Sequence, residues 1–409
     1  MATLMALFAF VPGLPFVPFI LGAAALGWAA LYLHRRAARE AEAPPEAGEE
    51  AAADRPAPLG DTLDLDDVHV EFAPDLVAMV LDPATGLDAR IANMRAHVAQ
   101  GYGVVLPDIR LTDDATLPPG GYAIRIQGVV QARDRLQPGR VLALLADDMP
   151  DLPPGDEVRE PVYGAPARWL PAGAQEAAAL SGCTVVGPAE VLATHLLETI
   201  RRNLPRLLTL KGLRRLLDEL CTLSDPARAE ANRRLFDELI PEKVPTDLLL
   251  AVLRLLLEER VSVRNLPLIL EAIAEARHSH GSAEAITEHV RQRLGFQLVA
   301  ELRRDDGTIP LVQLAPEWEE TFATYQIDGE RGQADIALPP AEFNRLAGAL
   351  ADRLARAAEA GVSPAIVTSM RRRRFVRMVL AAKGLAAPVL SYEEIGMEAR
   401  PALVGTVAA

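Results

Sequence analysis

The chain is poor in the residues from which most recognisable chemistry is built. Its two cysteines, Cys183 and Cys221, lie far apart and in no CxxC pairing. They read as reduced core residues of a cytosolic protein rather than a disulfide framework or a metal site. Lysine occurs only at Lys211, Lys243 and Lys383. There is no GxxxxGK[ST] loop, no GxGxxG turn, no GxSxG elbow and no HExxH helix, which removes the common signatures of nucleotide, dinucleotide, hydrolase and zinc-protease chemistry. Net positive charge is lacking as well. The formal charge is −14, the opposite of a nucleic-acid-binding footprint. Between Glu40 and Asp88, fourteen Asp and Glu stand against one Arg, so that segment holds nearly all of the net charge.

What the chain does have begins at its first residue. Met1 to Leu33 is apolar and is followed by His34-Arg35-Arg36. Within it, Phe16 to Leu33 carries no charge over 18 residues; as a helix it spans about 27 Å, close to the hydrocarbon thickness of a bilayer. A signal peptide wants a basic start and a shorter apolar core, so the expectation is a membrane helix, with a buried soluble helix or a targeting segment as the alternatives. Arg35, Arg36 and Arg39 follow it and place the remainder in the cytoplasm by the positive-inside rule. Pro12-Gly13-Leu14-Pro15 breaks the apolar run into a turn and a spanning helix, as at the end of a polytopic membrane region.

At 409 residues the chain exceeds what one core usually serves. Residues 37–60, built of Ala, Glu and Pro, lack the apolar residues that offset ordering entropy and read as an acidic tether, a short solvated helix around Ala37 to Ala43 being equally compatible. Mixed elements follow. Strands are expected at Val68 to Phe72, Val104 to Leu106, Tyr122 to Ile126, Val141 to Leu145 and Thr184 to Val186, and a helix at Leu87 to Ala99. After Pro188 the pattern turns helical: Ala189 to Asn203, Leu213 to Thr222, Asp247 to Arg260 with Thr246 as N-cap, Asn265 to Ala276, and Ser282 to Arg304. The end returns to α+β, with strands Pro310 to Leu314, Ala365 to Thr368 and Val389 to Ser391 and helices Pro340 to Ala360 and Arg371 to Ala382.

Candidate chemistry is sparse. His278 and His280 share a polar loop but lack a third ligand, so no metal site is expected. Cys183 has no basic neighbour and reads as packed rather than nucleophilic. Arg371 to Arg374 with Arg377 reads as a solvated face, an anionic-partner contact being the alternative. The stretch Arg159 to Trp169 (REPVYGAPARW) is different, since its prolines and glycine stiffen a loop that carries two aromatics. Such a loop loses little entropy on docking a protein. Trp169 is expected to plug the core, and for Tyr163 docking and packing are evenly balanced. No catalytic residue and no cofactor are expected.

The order of several stretches resembles the last membrane helix and cytoplasmic part of the FlhA/SctV family, the large export-gate subunit of flagellar and virulence type III secretion systems. These stretches are Val11 to Gly27, Leu87 to Val129, EPVYGAPARWL at Glu160 to Leu170, and CTVVGPAEVLATHLLETI at Cys183 to Ile200. LLLEERVSVRNLPLILEAIAE at Leu255 to Glu275, HVRQRLGFQLV at His289 to Val299 and VLSYEEI at Val389 to Ile395 complete the series. The resemblance implies a multidomain α+β cytoplasmic region of four subdomains after the membrane segment (1–36) and flexible linker (37–60). The first subdomain spans 61–138 and 188–207 and has the second, 139–187, inserted in it; a helical third covers 208–287 and an α+β fourth 288–409.

The same resemblance implies an inner-membrane location and a homo-nonameric ring. It also implies docking of export chaperones and their cargo, together with contacts to other export-gate membrane proteins and the soluble ATPase complex. Glu160, Tyr163 and Thr194 match the family's chaperone-binding positions, Glu160 where flagellar members usually have Asp and Tyr163 where they have Phe. The family's earlier membrane helices and signature loop have no counterpart before Met1, so the chain is expected either to be part of a longer gate protein or to dock cargo without conducting it. The flagellar system is favoured over the virulence one by the 255–266 and 289–294 stretches, and a membrane-tethered scaffold without transport is the reading from another class.

Overall fold

The computed structural model describes residues 64–145, 153–328, 334–396 and 399–409. The apolar run, its Pro12–Pro15 turn and the acidic tether lie outside the described residues. Among those described, no helix is long and apolar enough to cross a membrane.

Strict alternation builds the first sheet. β1 (Val68–Phe72) turns Val68, Val70 and Phe72 inward. Two helices follow, α1 (Val77–Val80) and α2 (Leu87–Tyr102), the second burying Leu87, Ile91, Met94 and Val98 at helical spacing. β2 (Ile109–Asp113) pairs parallel to β1, and β3 (Gly121–Ile126) and β4 (Val129–Arg135) extend the other side antiparallel, in the order β2-β1-β3-β4. The expected strand at Val104 to Leu106 does not form. Val104 and Leu106 are buried as irregular chain, and Pro107, which has no N–H to give a ladder, separates them from β2.

A second, antiparallel sheet follows in the order β6-β7-β5-β8, from β5 (Arg140–Leu144), β6 (Asp156–Arg159), β7 (Pro166–Pro171) and β8 (Val185–Val186). With α3 (Gln175–Leu180) it closes a small core of Val141, Ala143, Leu170, Ala178 and Cys183. Leu142, Ala167 and Trp169, from the same strands, join the main core instead. Both Trp169 and Cys183 are therefore packed, as expected.

The chain then becomes helical: α4 (Pro188–Leu207), α5 (Leu210–Leu220), α6 (Pro226–Leu239), α7 (Thr246–Glu258), α8 (Leu266–Ala276), α9 (Ala283–Arg293) and α10 (Gly295–Leu302). α6 was not anticipated, although its start signal is plain: the Asp225 carboxylate accepts from the Ala227 and Arg228 amides and Pro226 follows it. Thr246 is not the cap of α7; Pro245 holds that place with no side-chain bond. Leu249, Val252, Leu253, Leu256 and Leu257 are buried on α7, which lies inside this region as its nearly all-round apolar surface requires.

The helix expected over Ser282 to Arg304 is two helices, broken at Leu294. Gly295, the first residue of α10, lies too close to the Glu394 carbonyl to carry a Cβ. The last region has a parallel sheet in the order β13-β12-β9-β14, formed by β9 (Thr308–Leu314), β12 (Ala365–Thr368), β13 (Val389–Ser391) and β14 (Arg400–Val407), beside a separate antiparallel pair of β10 (Gln326–Asp328) and β11 (Ala334–Ile336). Helices α11 (Pro316–Thr324), α12 (Pro340–Glu359) and α13 (Met370–Ala382) cover it around Trp318, Phe322, Leu346 and Val376.

The arginine run on α13 is not the solvated face it was expected to be. Arg371 and Arg374 are exposed, but Arg372 and Arg373 are buried, Arg373 completely. The Arg373 guanidinium donates to both Glu288 oxygens on α9 and, at 2.5 and 2.8 Å, to both Glu259 oxygens after α7. Arg291 joins the cluster, 3.3 Å from Glu259 and donating at 2.7 Å to Glu394. Burial works against ionised Glu259, but the Arg373 hydrogen bonds and the charges of Arg291, Arg373 and Arg377 outweigh it and hold its carboxyl below the usual range. This cluster pins the helical region to the parallel-sheet region.

Candidate functional site

The turn between β6 and β7 is fixed by one carboxylate. Glu160 is 9% exposed, and its two oxygens accept from the Val162 amide at 2.9 Å and the Tyr163 amide at 2.7 Å. The main chain closes beneath it, Glu160 N donating to Ala165 O at 2.8 Å and Gly164 N to Glu160 O at 2.9 Å. Gly164 has φ +70°, a left-handed conformation that suits glycine. Arg159 adds a 2.9 Å bond to the Gly164 carbonyl. At the apex Tyr163 is 71% exposed. A rigid turn with a bare aromatic at its tip has the form of a docking anchor.

Behind the turn stands α4, whose inner face is Val191, Leu192, His195, Leu196 and Ile200. Arg202 on α4 reaches the Val162 carbonyl at 3.3 Å. It also pairs at 3.4 Å with Glu198, which Arg201 approaches at 3.2 Å. Thr194 is exposed one turn before Glu198, its hydroxyl donating to the Glu190 carbonyl at 2.9 Å. The structure thus unites Glu160 and Tyr163 in one turn. That turn is joined to the helix of Thr194 through Arg202, with Thr194 itself about two turns of helix away.

Sequence reasoning missed the polar pair beneath this surface. The His195 Nδ1 and Tyr122 hydroxyl are 2.7 Å apart with their rings edge to face. Burial lowers the His195 pKa, with Arg202 acting the same way and Asp134 and Glu160 opposing; burial likewise raises that of Tyr122. A neutral imidazole whose Nδ1 accepts the tyrosine proton satisfies both groups. The signal in sequence was a lone histidine on the apolar stripe of an amphipathic helix. The loop histidines form no comparable group: His278 is exposed, and His280 lies 5.8 Å from the His289 ring. Among the described residues no three of His, Cys, Asp and Glu are placed to hold a metal.

A family model described as the FHIPEP family matches residues 1–400. The flagellar biosynthesis protein FlhA of Caulobacter vibrioides is 36% identical over 403 residues, covering 98% of this chain and 56% of the relative. The chain spans about half the length of the curated relatives it matches. Among solved structures, the CdsV protein of Chlamydia pneumoniae superposes with a TM-score of 0.71 at 22% identity, over 84% of this chain and 98% of that one. The nonameric EPEC SctV-C gives a TM-score of 0.66 at 16% identity, over 84% and 98%.

Proposed function

The chain belongs to the FHIPEP family, and on that premise we propose that it is a component of a flagellar type III protein export gate. Its cytoplasmic region docks export substrates and chaperone–substrate complexes for secretion driven by the proton-motive force. The observation that carries this reading is the turn at Glu160 to Ala165, locked from beneath by a buried carboxylate and bearing Tyr163 71% exposed. Tyr163 is the anchor, Glu160 its positioning residue, and Thr194 the polar margin on α4.

The protein makes no bonds of its own and uses no cofactor; it acts by binding. It is held in the inner membrane by its apolar N-terminal segment, with a four-subdomain region in the cytoplasm assembled as a nonameric ring. The nonameric relative supports that assembly by likeness of fold. Export chaperones with their cargo, other gate membrane proteins and the soluble ATPase complex are its partners, and nucleic acid is not. Purified full chain, imaged by electron microscopy and titrated with flagellar export chaperones, tests this reading. Ninefold rings that bind chaperones are the expected result, and a monomer indifferent to every chaperone contradicts it.

A further inference from the structure

A cleft of about 350 Å³ opens beside the buried Arg373 cluster, lined by residues distinct from those of the Tyr163 turn. Its lining mixes three arginines, Arg260, Arg291 and Arg377, with Leu298, Leu385 and Leu390. Two of the arginines already face carboxylates. Arg291 is held by Glu394 and Glu259, and Arg260 lies 3.9 Å from Glu198. Of the lining carboxylates, Glu259 is gripped by Arg373, and Glu301 is exposed, its carboxyl pKa raised by partial burial.

Arg377 is different. It is half-buried and has no carboxylate partner among the described residues; its hydrogen bond is a 3.5 Å contact to the Ala387 carbonyl. Burial and the like charges of Arg260, Arg373 and Arg291 make its charge costly, and Glu259 relieves that only in part. A half-desolvated guanidinium facing a cavity among leucines suits an anion attached to an apolar group.

We propose that this cleft binds the free C-terminal carboxylate of a peptide ending in a branched aliphatic residue. Arg377 takes the carboxylate, and Leu298, Leu385 and Leu390 take the last side chain. The volume suits a terminal residue and its neighbour rather than a folded surface.

The test is calorimetric titration of the full chain with acetyl-Gly-Ser-Ala-Leu, as the free acid and as the C-terminal amide. The free acid is expected to bind, and amidation to weaken it about ten-fold or more, the scale of one charge-assisted pair. Arg377→Gln is expected to cause a similar loss and Arg377→Lys a smaller one, at unchanged melting temperature. If Arg377→Gln fails to fold, the acid–amide comparison on the unaltered protein decides alone. Equal binding of acid and amide, or binding of neither at millimolar concentration, overturns the proposal. N-acetylleucine binding as tightly as the tetrapeptide overturns the peptide assignment in favour of a small carboxylate.

Discussion

Glu160 organises its turn because a carboxylate that accepts two backbone amides does what no apolar residue of the same size can. Replacing it by alanine leaves the amides of Val162 and Tyr163 without those acceptors. Glu160→Ala is therefore expected to cost about 1–2 kcal/mol in urea unfolding and to weaken chaperone binding even though Tyr163 remains. His195 supplies a pH dependence of definite sign. Its folded-state pKa lies below the ordinary 6.5, so the unfolded chain takes up the proton first. The contribution of neutral His195 is complete above pH 6.5 and is lost as pH falls from there towards the lowered folded value. The melting temperature is expected to decline through that window, and His195→Gln to flatten the decline. The Glu259 contribution has the same sign but begins to be lost only below its ordinary 4.5, which separates the two.

At the scale of elements, the α7–α9–α13 contact rests on Arg373. Arg373→Met leaves Glu259 and Glu288 without their principal cation. A loss of about 3–5 kcal/mol is expected, larger than that of replacing all three residues by apolar ones of similar volume, and both are measurable by chemical denaturation. Gly295→Ala drives a methyl into the Glu394 carbonyl and is expected to cost about 1–3 kcal/mol. Elements set by local pattern were legible in the sequence: β1, α2, α7, α12 and β13 lie within a few residues of their expected places. What was not legible was set by distant contacts. Arg373 reads as one of four surface arginines until α9 and the chain after α7 bring carboxylates to it from 85 and 114 residues away. The 282–304 helix reads as continuous, whereas the chain turns at Leu294.

For the whole molecule, the same division holds at the site. The Pro–Gly stiffness of the Glu160–Ala165 turn and the amphipathic stripe of α4 could be read in advance. The Tyr122–His195 pair joins residues 73 apart and could not. On the proposed function, the bare Tyr163 on its fixed turn is the surface that partners dock against. The most direct measurement of that claim is the affinity of Tyr163→Ala for flagellar export chaperones, compared with the unaltered chain. Loss of at least about ten-fold in affinity, an anchor-sized effect, with ring assembly and melting temperature unchanged, is the predicted result; chaperone binding of undiminished affinity contradicts it.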